Sequence, residues 1–111
     1  MATTPEGKVK AEVKKVLAQF GEHIDGFWPV PSGLGESHLD YVGCVDTPQG
    51  GRFFAIETKA PGKKPTPRQA LRIENVKKAG GVVFVIDGTP KTDTVGQLFS
   101  WLKVVTSGGN S

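Results

Sequence analysis

Cysteine is almost missing from this 111-residue chain: Cys44 stands alone, so no disulfide can form within it. That suits a reducing compartment, and the apolar run around Cys44 predicts a small core filler. Long apolar runs are missing too. Nothing approaches the roughly 20 consecutive apolar residues that a membrane-spanning helix needs, and the start of the chain lacks the charged-then-apolar pattern of a secretory signal. These absences predict a cytoplasmic protein with no membrane partner. Acids are scarce in one stretch. From Lys59 to Lys78 only Glu74 is acidic, whereas Lys59, Lys63, Lys64, Arg68, Arg72, Lys77 and Lys78 fall within it, half of the 14 basic residues of a chain whose net charge is only +3. A patch of this kind suits an anionic polymer; the ordinary alternative is a solvated helix face and loop.

The length predicts one domain over residues 1–111, with its core over 4–105 and a small polar tail over 106–111. Thr4 and Pro5 read as the cap and first position of a helix. Val9, Val13, Leu17 and Phe20 continue it at helical spacing as far as Gly21. Ile24 to Val30 reads as a strand, Pro31 to Ser37 as a loop, and Leu39 to Val45 as a second strand. The turn residues Asp46 to Gly51 then join this strand to a third, Arg52 to Lys59, as an antiparallel hairpin. Thr66, Pro67 and Gln69 carry the signature of a helix start with a reciprocal capping box. Leu71, Ile73, Val76 and Ala79 give that helix an apolar side, and Gly80-Gly81 stops it. Val82 to Ile86 is β-branched and continuous, as in a strand buried on both faces. A last helix runs from about Thr92 to Val105. The order α-β-β-β-α-β-α predicts an α/β fold, a mixed sheet flanked by helices.

Chemistry concentrates in Arg52-Phe53-Phe54-Ala55-Ile56-Glu57-Thr58-Lys59. Side chains alternate along a strand, so Glu57 and Lys59 share a face. The paired strand brings Asp40 as a second carboxylate. Asp40, Glu57 and the Thr58 carbonyl form an oxygen donor set of the kind that Mg²⁺ accepts. Lys59 cannot bind a metal, but it can orient a water or stabilise charge on a phosphate. Glu6 lies in line with Val9, Val13 and Leu17 on the first helix; an acid there needs a metal or a lysine opposite it, or else serves the helix dipole from the first turn. Glu12 lies off that line. An ordinary ion pair along the strand edge is the plain reading of Glu57 and Lys59, and a strand-start acid in water that of Asp40.

The ordered set resembles the PD-(D/E)XK nuclease superfamily and, within it, the virus-type replication-repair nuclease (VRR-NUC) domains. The resemblance runs from Thr4 to Asp87: Glu6 with Val9, Val13, Leu17 and Gly21; Gly33-Leu34-Gly35; Leu39-Asp40-Tyr41; Phe54-Ala55-Ile56-Glu57-Thr58-Lys59-Ala60-Pro61-Gly62-Lys63; Pro65-Thr66-Pro67-Arg68-Gln69; and Gly80-Gly81. Two departures stand out: Leu39 where proline commonly precedes the acid, and Thr58 where an aliphatic residue is common. The resemblance implies a restriction-endonuclease-like fold and a Mg²⁺- or Mn²⁺-dependent DNA endonuclease. Asp40, Glu57 and the Thr58 carbonyl would be metal ligands, Lys59 the catalytic lysine, and Glu6 an acid reaching the metal or its water. Gln69 would act in the site or touch the DNA backbone, whereas its local sequence makes it a capping partner; one side chain is not expected to do both at once.

His38, Lys63, Lys64, Arg68 and Arg72 are candidate phosphate contacts, which position DNA without reading its sequence. Small stand-alone members of the family resemble phage-type resolvases of Holliday junctions, serving DNA recombination and repair as homodimers; exposed Phe99 or Trp101 of the last helix would suit an interface, with core packing the plainer role for at least one. The rival readings are a catalytically silent DNA- or RNA-binding module, a non-specific nuclease, and an α/β domain unconnected with nucleic acid.

Overall fold

A computed structural model describes residues 4–30 and 39–108. The elements in chain order are α1 (Pro5–Gln19), β1 (Ile24–Phe27), β2 (Tyr41–Val45), β3 (Arg52–Thr58), α2 (Pro67–Lys78), β4 (Val82–Ile86) and α3 (Thr94–Thr106). The four strands form one mixed sheet in the order β1-β2-β3-β4. β1 and β2 pair antiparallel, as do β2 and β3, while β4 joins β3 in parallel after the α2 crossover.

Local chemistry accounts for the helix starts. The Thr4 hydroxyl accepts the Gly7 N–H at 3.0 Å, and Pro5 takes the first turn, where its missing N–H costs nothing. Thr66 and Pro67 repeat the device at α2. α3 begins at Thr94, two residues later than the sequence suggests, because Asp93 takes the cap in a left-handed conformation (φ 47°) and accepts the Gly96 N–H at 3.2 Å. Gly80, at φ 98°, closes α2 in a backbone conformation that glycine adopts without strain.

The sheet is covered unequally. On one face Tyr41, Val45, Phe54, Ile56 and Ile86 pack with Val9, Val13 and Leu17 of α1 and Leu98, Leu102 and Val105 of α3. On the other, a smaller cluster joins Ala55 and Leu39 to Ile73 of α2, with Val42, Val76, Val83 and Val85 around it.

Several expectations fail for this reason. Cys44 is exposed, not core filler, because it projects from β2 on the sparsely covered face. Most of β4 is only half-buried, with Ile86 alone fully buried, because β4 is the sheet edge and not a central strand. Leu71 points outward from α2 and is 63% exposed. β1 ends at Phe27, so Trp28 to Val30 are not strand; the Trp28 ring instead meets Tyr41 edge-on at 5.2 Å. Phe99 and Trp101 both pack onto the main core, Trp101 against Phe54 and Phe84 at 5.5 Å each. α3 therefore presents neither ring as a free surface. Among the described residues no helix is long and apolar enough to cross a membrane.

Candidate active site

Glu57 is the centre of the arrangement. It is 1% exposed, near the end of a strand in which the three residues before it, Phe54, Ala55 and Ile56, are all core. Ile56 before it packs with α1 and α3, while Ala55 faces Ile73 of α2, so alternation turns Glu57 toward α2. There its Oε2 accepts the Gln69 amide at 2.8 Å and pairs with Lys59 Nζ at 3.2 Å. Lys59, 15% exposed at its side chain, thus shares the Glu57 face as strand alternation requires. The second oxygen, Oε1, is buried and finds no partner within hydrogen-bond geometry among the described residues. Burial pushes the Glu57 carboxyl above the usual glutamate range and the nearby Asp40 charge adds to this, while Lys59 and, more weakly, the Asp40 backbone N–H oppose both.

Asp40 sits at the bend just before β2, opposite the end of β3. Its Oδ2 accepts both the Thr58 N–H at 2.7 Å and the Thr58 hydroxyl at 2.8 Å. The residue between Glu57 and Lys59 is therefore more than a carbonyl donor. Its fully buried side chain orients the neighbouring acid. Sequence reasoning missed this role; the departure from an aliphatic residue at that position was the available signal.

Gln69 corrects a second expectation. Its carbonyl accepts the Thr66 N–H at 2.9 Å while its own N–H reaches the Thr66 hydroxyl at 3.2 Å, which completes the capping box. Its amide nitrogen simultaneously holds Glu57. The two roles coexist because they use opposite ends of the amide, an acceptor and a donor. The start of α2 is thereby tied to the site.

Glu6 behaves as a first-turn acid. Its side chain is 41% exposed and pairs with Lys10 at 3.5 Å, the lysine one turn along. Its helix nevertheless arrives near the site: Pro5, Val9 and Glu12 share a cleft of about 350 Å³ with Pro61 and Gly88. Asp87, which the sequence reading passed over, anchors the same corner. It accepts the Thr89 N–H at 2.9 Å, and this contact, aided by the Gly62 backbone, holds its carboxyl below the usual range. Lys63, Lys64, Arg68 and Arg72 are all exposed. His38 and Gly33-Leu34-Gly35 lie outside the described residues.

The donor set fits a hard divalent cation that keeps several waters. Among the described residues no three His, Cys, Asp or Glu side chains stand together as a metal cage. Mg²⁺, however, commonly takes only one or two carboxylates and completes its shell with water and substrate phosphate. Two carboxylates are close here, and one buried oxygen lacks a hydrogen-bond partner among the described residues.

Comparison of the chain with protein-family models gives no match, and comparison with curated proteins gives none either. The described residues establish an α/β protein, with a four-stranded mixed sheet and helices on both faces.

Proposed function

We propose that the chain is a Mg²⁺- or Mn²⁺-dependent DNA endonuclease of the VRR-NUC kind, with a restriction-endonuclease-like arrangement, acting as a homodimer on branched DNA such as Holliday junctions. The observation that carries this reading is Glu57: a buried carboxylate with one oxygen held by Lys59 and Gln69, the other without a hydrogen-bond partner among the described residues, and a second acid beside it. Asp40, Glu57 and the Thr58 carbonyl would hold the ion, which when bound lowers the pKa of its water and screens phosphate charge. Lys59 keeps a cation at the same carboxylate for charge that builds on the scissile phosphate. Gln69 fixes the Glu57 rotamer, and Thr58 fixes that of Asp40. Glu6, turned to Lys10, contributes a first-turn acid near the loop after Lys59. The exposed Lys63, Lys64, Arg68 and Arg72 supply backbone-phosphate contacts, so binding weakens steeply with salt.

The test is cleavage of end-labelled four-way junctions, flaps and plain duplexes in Mn²⁺ by the wild-type chain and by Lys59→Ala. Cutting by the former and retained binding without cutting by the latter are expected. If wild-type protein leaves every substrate intact, the nuclease reading fails and a binding module takes its place.

A further inference from the structure

Phe27 stands where no core requires it. It ends β1 in register with Val42, whose partner on β3 is Ala55. Val42 and Ala55 belong to the α2-side cluster, so Phe27 projects from the same sheet face as Glu57. Val42 is two residues from Asp40, and Ala55 is two from Glu57. With strands about 4.8 Å apart and a rise of about 3.4 Å per residue, the Phe27 and Glu57 backbones are roughly 12 Å apart, a few nucleotides along a bound strand. The packing role at this end of β1 belongs to Trp28, which turns to the opposite face and meets Tyr41. Phe27 is left 62% exposed.

We propose that Phe27 is a stacking platform for an unpaired nucleobase beside the cleaved phosphate, which makes this site selective for DNA whose bases are unstacked at a branch point. The inference rests on the nuclease reading and deepens it. Charge complementarity favours a nucleic acid strand as the occupant of this face, since Lys63, Lys64, Arg68 and Arg72 are exposed between the site and the end of α2. Asp25, two residues before Phe27 on the same side of β1, repels a phosphate there, so it is a base and not the backbone that meets the ring. The other exposed apolar side chains fit less well. Phe53 lies at the far end of β3, opposite Cys44; Leu71 is on the outer side of α2; Val30 and Val104 have no π face to offer.

Binding is measured by fluorescence anisotropy in metal-free buffer at fixed salt, with the full chain carrying Lys59→Ala so that nothing is cut. The probes are a four-way junction, a fork with unpaired arms, and a continuous duplex. Phe27→Ala is expected to weaken fork and junction binding by about 5- to 100-fold, the loss of one base–aromatic stack. Duplex affinity, the salt slope and the melting temperature should stay unchanged. Phe27→Trp should keep the affinity, and 2-aminopurine placed at the fork should change its fluorescence on binding Phe27 protein but not the alanine variant. Equal losses on fork and duplex, no loss on either, or a change of oligomeric state by light scattering with Phe27→Ala would each overturn the proposal. A chain that binds forks through Phe27 but never cuts DNA refutes the nuclease reading instead. One that cuts normally with Phe27→Ala refutes this inference alone.

Discussion

Replacing Gln69 by glutamate separates the two ends of one side chain. Glutamate keeps an oxygen for the Thr66 N–H, the usual form of a capping box, so the start of α2 should be intact. What it loses is the donor that meets Glu57 Oε2 at 2.8 Å, and it puts a negative charge in its place. A hydrogen bond to a charged group contributes about 1.5–3 kcal/mol, and the new carboxylate faces one that burial and Asp40 already disfavour as an anion. Lys59, 3.2 Å from Oε2, then has to serve both. We expect a loss of about 2–3 kcal/mol at pH 8 in chelator, roughly 8–24 °C in Tm for a domain of this size. Lowering the pH should recover much of it, because protonating either carboxyl restores a donor. The exchanged pair, Glu57→Gln with Gln69→Glu, should recover more than the two single changes predict, with a coupling of about 0.5–3 kcal/mol in a double-mutant cycle. Thermal melts followed by far-UV circular dichroism across pH supply the numbers. If Gln69→Glu melts together with wild type at pH 8, or if the exchanged pair shows no coupling, the Gln69–Glu57 contact is not a structural link and the reasoning fails.

Three further outcomes follow from the same geometry. Because the folded Glu57 carboxyl is raised and the unfolded one ionises near pH 4.3, the wild type should lose stability relative to Glu57→Gln as pH rises from about 4 toward neutrality, having lost none below it; parallel melting curves would refute this. Thr58→Val keeps the shape but removes the hydroxyl that meets Asp40 at 2.8 Å, so it should cost about 1–3 kcal/mol and weaken Mn²⁺ binding by about tenfold or more in calorimetry, whereas unchanged Mn²⁺ affinity would remove the Thr58 hydroxyl, though not its carbonyl, from the site. Gly26→Ala would drive a methyl into the Tyr41 hydroxyl and to 2.7 Å from the Val42 carbonyl; a loss of about 1–3 kcal/mol in urea melts is expected, with altered near-UV dichroism from the Trp28–Tyr41 pair, and a neutral effect would contradict the packing of β1.

The elements that local chemistry dictates were legible in advance. Thr66-Pro67-x-Gln69 encodes its cap in four residues, and the apolar run before Glu57 predicts a carboxylate at a buried strand end. The pairing of Glu57 with Lys59 follows from strand alternation alone. What was not legible depends on which parts of the sheet the helices cover. Cys44 and Val82 to Val85 are as apolar as core residues, and only the placement of α2 and the edge position of β4 leave them exposed or half-buried. Glu6 shows how two readings of one position separate only in three dimensions. On the helical wheel it lies with Val9 and Val13, but in the first turn a glutamate can reach Lys10 at 3.5 Å without entering the core. The Thr58–Asp40 contact spans 18 positions, and no local pattern announces it.

The site is arranged against the stability of the chain, and that bears on the proposed function. A neutral side chain at position 57 would avoid both the burial of a charge and the repulsion from Asp40. Instead a carboxylate is buried near a second one, and Thr58 and Gln69 hold both in fixed orientations while Oε1 has no hydrogen-bond partner among the described residues. Lys59 offsets part of the repulsion but pairs with the oxygen that Gln69 already serves. A buried, partnerless carboxylate oxygen costs about 1–3 kcal/mol or more, and a cation shared by Asp40 and Glu57 would reverse that cost and the repulsion together. Under the nuclease reading, added Mn²⁺ should therefore raise the melting temperature of the wild type and leave that of Glu57→Gln nearly unmoved. This readout needs no DNA and no turnover, so it tests the metal site apart from the choice of substrate. An equal response of the two proteins would place the ion elsewhere and leave Glu57 as an ion-pair partner of Lys59 alone.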